Sequence, residues 1–88
     1  MRVTARRQVT HRCPFRDERD LGTLEASWLG DVVELGAFAE HLDTYADAAI
    51  THEEMTSGVR GWLERAGATE VYVTSDWQTA GLDVRVYS

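Results

Sequence analysis

In residues 3–12 apolar and polar positions alternate loosely, with Val3, Ala5 and Val9 on the same parity. That is the period at which side chains return to one face of a β-strand. Cys13 and Pro14 end the strand, since proline has no N–H to give to a ladder. Residues 15–20 read as a charged loop, and residues 23–29 as a second strand. Gly30 and Asp31 have the composition of a two-residue hairpin turn leading into Val32, Val33 and Glu34. The period then changes. Leu35, Phe38, Leu42, Tyr45, Ala46 and Ala49 recur at helical spacing. A second helix follows with clear punctuation: Thr51 and Glu54 form a capping box, Ile50 and Met55 sit as a hydrophobic staple, and Gly67 lies just past the end. Its buried stripe is Met55, Val59, Trp62, Leu63 and Ala66. Residues 70–77 and 82–87 close the chain as strands, joined by the hairpin-length connection of residues 78–81.

Strands at both ends with helices between them predict an α+β fold of order β-β-α-α-β-β. Its antiparallel sheet carries two helices on one face, in a single domain spanning residues 1–88. The core of so short a chain is small. One cysteine excludes an internal disulfide, and one cysteine with three scattered histidines shows no structural zinc spacing, so no metal is expected. Self-association is the remaining means of support, and it would also cover the bare edges of the outer strands. Trp28, Trp77 and Tyr87 are candidate interface residues.

Charge adds an asymmetry. The net charge is −6, yet residues 1–19 hold six arginines against Asp17 and Glu18, whereas the rest of the chain holds three arginines against thirteen acids. There is no lysine. A basic strand on an acidic body reads either as a solvated face or as a polyanion contact, with Arg6 and Arg7 the candidate residues. No apolar run approaches the ~18 residues of a membrane span. Residues 1–12 lack the apolar stretch of a secretory signal. A free thiol in such a chain is expected in the reducing cytoplasm.

Cys13 is the first candidate for chemistry. By composition alone it reads as a small core residue, because free cysteine is among the most buried types. Its place at a strand end between Arg12 and Arg16 favours the thiolate, the form that attacks electrophiles. A loop of this length can return the Asp20 carboxylate to the thiol as a proton carrier, although Asp17 and Glu18 are not distinguished from it by composition. His52 and Glu53 open the second helix, where acids suit the dipole. A carboxylate held there also suits the N–H edge of a guanine-like base.

Taken together, Cys13-Pro14, Asp20 at the seventh position after the cysteine, Gly22-Thr23, Glu34, and His52-Glu53 eighteen residues beyond Glu34 form an ordered set. The set resembles the 7-cyano-7-deazaguanine reductases (QueF-type) of the tunnelling-fold superfamily. The resemblance runs over residues 9–88 and includes the closing hairpin. It implies a tunnelling fold whose subunits join edge to edge into a barrel. It further implies that Cys13 adds to the nitrile carbon to give a thioimide, that Asp20 moves protons to the nitrile nitrogen, and that Glu34, His52 and Glu53 bind the substrate. Where the reductases carry a lysine-containing motif for their nicotinamide cofactor, this chain has Glu34, Leu35, Gly36, Ala37, Phe38, Ala39 and Glu40. Without a lysine the phosphates of that cofactor lose their expected partners, so no cofactor is expected. The QueF-like amidinotransferases, which lack that motif, are the more similar branch. There ammonia attacks the thioimide and yields the amidine of archaeosine from a base carried in nucleic acid. The expected substrate is therefore 7-cyano-7-deazaguanine, free or in tRNA or DNA, with ammonia as the second reactant. The alternatives are a reductase with a degenerate cofactor site and a non-catalytic purine- or pterin-binding module.

Overall fold

The computed structural model describes residues 1–88. Its elements are β1 (Arg2–Arg12), β2 (Arg19–Leu29), α1 (Leu35–Asp43), α2 (His52–Arg65), β3 (Thr69–Thr79) and β4 (Leu82–Tyr87). The strands form one antiparallel sheet of order β1-β2-β3-β4, whose outer edges are open except where Arg12 at the end of β1 bridges to Ala49. The expected β-β-α-α-β-β order and helical layer are present. No helix is long and apolar enough to cross a membrane.

One face of the sheet makes the core. Val9, Leu24, Ala26, Trp28, Val71, Val73 and Trp77 turn inward to meet Phe38 and Leu42 of α1 and Met55, Val59 and Leu63 of α2. Each Val, Leu, Phe or Met side chain among them, taken fully out of water, contributes ~1.5–3 kcal/mol. Trp28 meets Phe38 edge-on, and Phe38 stacks on Trp62. Trp28 and Trp77 are 1% and 3% exposed within the single chain, so they are core residues and not free interface residues. Tyr87, 73% exposed, remains on the surface of the edge strand.

The capping box forms as the sequence predicts. Thr51 Oγ1 accepts the Glu54 N–H at 3.0 Å, and the Glu54 carboxylate accepts the Thr51 N–H at 3.2 Å. Gly67 takes φ +104°, and the N–H groups of Gly67 and Ala68 satisfy the carbonyls of Glu64 and Leu63.

Three expectations are corrected. Val32, Val33 and Glu34 are not a strand: β2 already pairs with β1 and β3, and the segment runs directly into α1. The first helix stops at Asp43, although its apolar stripe continues to Ala49. Main-chain bonds pull the following segment away from the helix axis. The Arg12 N–H donates to the Ala48 carbonyl at 3.0 Å and the Ile50 N–H to the Arg12 carbonyl at 3.3 Å. Finally, β2 begins at Arg19, so the loop is shorter than expected and Asp20 lies in the sheet opposite His11.

Candidate active site

The short parallel bridge between Arg12 and Ala49 joins the end of β1 to the start of α2. It brings Cys13, which follows β1, beside Thr51, His52 and Glu53. The loop after Cys13 is closed by the Cys13 N–H donating to the Glu18 carbonyl at 2.9 Å. Next comes β2, whose register places Asp20 opposite His11 and therefore on the same face. Cys13, Asp20, His52 and Glu53 thus line one cleft of about 220 Å³, with His11, Pro14, Phe15, Thr51 and Thr79. Phe15 is 83% exposed at its rim.

The sequence predicts four of these residues, and the fold brings all four together. Glu34 lies elsewhere. It caps α1, its two carboxylate oxygens accepting the N–H groups of Gly36 at 2.9 Å and Ala37 at 2.6 Å. Arg7 reaches over α1 to Asp43, 2.9 Å away, and to the Ala39 carbonyl, while Arg6 points from the opposite, solvent-facing side of the sheet. Arg12 and Arg19 are held by Asp17 and Asp47. Exposed pairs of this kind contribute ~0–1 kcal/mol, so a phosphate can displace the carboxylate.

The sequence gives His11 no role and Trp77 only that of a candidate interface residue, whereas the structure packs both rings against His52. His11, 1% exposed, lies on the core-facing parity of β1 with Val3, Ala5 and Val9. That alternation is the signal that could have found it. The two histidine rings meet: His11 Nε2 is 2.7 Å from His52 Nδ1. Trp77 stacks flat on His52 with centroids 4.2 Å apart and meets His11 edge-on at 4.8 Å. Gly22 allows this placement, since a Cβ there would fall 2.5 Å from Trp77 Cε3 and 2.6 Å from the Asp76 carbonyl.

A buried hydrogen-bond chain fixes the Trp77 indole. Its Nε1–H donates to Ser75 Oγ at 2.8 Å. Ser75 Oγ is 2.6 Å from Thr56 Oγ1, and the Thr56 hydroxyl donates to the His52 carbonyl at 2.7 Å. Because the Thr56 proton is committed to His52, the Ser75 hydroxyl must donate to Thr56. Every buried side-chain polar atom in the protein has a partner.

Electrostatics keep His52 neutral more readily than a free imidazole. Burial lowers it from its ordinary 6.5, His11 beside it adds to the lowering, and the carboxylates of Asp20 and Glu53 oppose it. Asp20 Oδ2 lies 4.0 Å from His52 Nε2, with the two side chains 10% and 11% exposed. With His52 neutral this is a polar approach and not an ion pair.

His11, Asp20 and His52 gather their donor atoms within 4.8 Å of one another, which invites a metal reading. Two nitrogens bound to one tetrahedral zinc at ~2.0–2.1 Å would stand about 3.3 Å apart. The 2.7 Å between His11 and His52 is instead a hydrogen-bond distance, and Asp20 faces the other nitrogen of His52. The trio is built as a hydrogen-bonded series, not as a cage around an ion.

No family model and no curated protein matches this sequence. Among solved structures, the chain superposes on archaeosine synthase QueF-Like in its apo form with a TM-score of 0.93. The two sequences are 22% identical, and the match covers 99% of this chain and 90% of that one. A likeness of this extent with so few shared residues is a likeness of backbone, and the chain therefore has the tunnelling fold of that enzyme.

Proposed function

We propose that this chain is a QueF-like amidinotransferase acting on the nitrile of 7-cyano-7-deazaguanine. The observation that carries the reading is the convergence of Cys13, Asp20, His52 and Glu53 on one cleft, within the fold of an archaeosine synthase.

In the first step the Cys13 sulfur bonds to the nitrile carbon, and the nitrile nitrogen takes a proton, leaving a thioimide. Asp20 is the carrier for that proton. In the second step ammonia adds to the same carbon and loses a proton, and the C–S bond breaks to return Cys13. The sum is nitrile plus ammonia to amidine, with no oxidation. Glu53, at the first turn of α2, accepts N–H bonds from the edge of the base. Reduction would need a dinucleotide site. The chain has no lysine, and beyond residue 19 its only cations are Arg60, Arg65 and Arg85. Arg85 is bound to Asp76 at 2.6 Å, and Arg60 lies 3.6 Å from Glu64.

A volume of about 220 Å³ is small against the ~300–1,000 Å³ of complete small-molecule sites. That size suits half a site, completed by a neighbouring copy along the open sheet edges. Arg6, exposed on the sheet, and Arg7, held by an exposed pair with Asp43 and by main-chain carbonyls, are suited to phosphates of a nucleic acid carrying the base. A nucleophilic thiol also suits a reducing compartment such as the cytoplasm.

The test is intact-mass measurement after incubation with the free nitrile base. A covalent adduct on the protein, absent from Cys13→Ala, is expected, and ammonium should release it as amidine. No adduct would leave only a binding module. Release as amine with a reduced nicotinamide cofactor, and no amidine with ammonium, would make the chain a reductase.

A further inference from the structure

The hydrogen-bond series at the floor of the cleft has a direction, set by one main-chain carbonyl. His11 Nδ1 lies 3.1 Å from the Arg12 carbonyl oxygen. A carbonyl only accepts, so the His11 proton sits on Nδ1. In the neutral ring Nε2 is then bare and can only accept. Its partner, 2.7 Å away, is His52 Nδ1, which must therefore carry the His52 proton. The remaining nitrogen, His52 Nε2, is left with a lone pair on the side of the cleft where Asp20 Oδ2 lies 4.0 Å away.

We infer that His11 is a positioning residue that locks His52 in its Nδ1–H tautomer, so that His52 Nε2 and Asp20 Oδ2 present two proton acceptors to an N–H-bearing nucleophile. The 4.0 Å gap is too wide for a direct hydrogen bond and wide enough for one bridging atom about 2.9 Å from each side. An ammonia nitrogen fits this position: two of its N–H bonds meet the two acceptors and its lone pair is left for the carbon. When it attacks the thioimide, His52 Nε2 takes the proton that the nitrogen must lose. The proton returns to the Cys13 sulfur as the C–S bond breaks. Trp77, stacked on His52 and bonded to Ser75, holds the ring plane against rotation. The groups facing His52 are His11 on β1, Asp20 on β2, Glu53 on α2 and Cys13 at the head of the loop.

The kinetic consequence rests on the proposed amidination, but the tautomer does not, and the two are read separately. Nitrogen-15 NMR of the free protein above the His52 titration should show a protonated Nδ1 and a bare Nε2. In His11→Phe the acceptor is gone, and the His52 proton should move largely to Nε2. In His11→Gln the side-chain carbonyl can accept again, and the Nδ1–H form should return. Amidine release should fall by ~10²-fold or more in His11→Phe, as for loss of a positioned base, and recover in part in His11→Gln. A protonated Nε2 in the unaltered protein, or an unchanged tautomer in a folded His11→Phe, would overturn the inference. If His11→Phe does not fold, the unaltered protein and His11→Gln decide. Failure to form any adduct with the nitrile would refute the proposed function and leave the tautomer result standing.

Discussion

Ser75→Ala isolates the polar chain that holds Trp77 against His52. Ser75 and Thr56 are fully buried, so water cannot replace what the hydroxyl supplies. Removing Oγ takes the acceptor from the Trp77 N–H at 2.8 Å and the donor from Thr56 Oγ1 at 2.6 Å. An orphaned buried donor costs ~1–3 kcal/mol, and a lost hydrogen bond to a still-bonded hydroxyl adds about 1 kcal/mol or less. The expected loss is ~2–3 kcal/mol, a large share of the ~5–15 kcal/mol that stabilises a typical domain. At ~4–8 °C per kcal/mol for a domain of this size, Tm should fall by ~8–24 °C. Urea titration followed by tryptophan fluorescence measures the free-energy loss and thermal unfolding the fall in Tm, each at one protein concentration because association shifts the midpoint. Ser57→Ala, exposed on α2, is the control and should stay within ~0.5 kcal/mol. A Ser75→Ala protein equally close to the unaltered one would show that the chain does not hold the indole, and the Trp77–His52 stack would need another cause.

Acid should destabilise the fold through its histidines. His52 and His41 are lowered below their ordinary 6.5, chiefly by burial, with His11 adding at His52 and Arg65 at His41. The unfolded chain therefore takes up their protons first. Stability is full above about pH 6.5 and is lost as pH falls below it, by at most about 1.4 kcal/mol per pH unit for each proton. The difference between the unaltered protein and His52→Gln, measured from neutral pH downward, should carry that slope; a flat difference would refute it. Sedimentation at micromolar concentration should show an oligomer joined through β1 and β4, and a stable monomer would remove the half-site reading of the cleft. Activity on a polynucleotide substrate should fall steeply with salt, through counterion release, and Arg6→Ala with Arg7→Ala should reduce that slope while sparing the adduct with the free base. An unchanged slope would assign the basic strand to solvent.

Much of the architecture was legible from the chain alone because it follows from local period and local punctuation. Alternation marks β1, the shift to helical spacing marks α1, and the Thr51–Glu54 box marks the start of α2 to the residue. Cys13, Asp20, His52 and Glu53 were legible as an ordered set through the family resemblance, and the fold gathers them on one cleft. What the chain could not announce is whatever depends on neighbours distant in sequence. α1 ends six residues before its apolar stripe does because Arg12 recruits Ala48 and Ile50 into main-chain bonds, a competition that no propensity records. Asp20 enters β2 because a ladder with β1 supplies the pairing that its own polar surroundings do not favour. Glu34, read as a substrate contact, is taken by the free N–H groups of a helix that begins one residue later. His11 was one of three scattered histidines until register placed it against His52, forty-one residues away. Period and caps act over a few residues and are written in order. Tautomers, stacked rings and clefts belong to surfaces that meet only when the sheet and helices close, and the tertiary structure alone decides them.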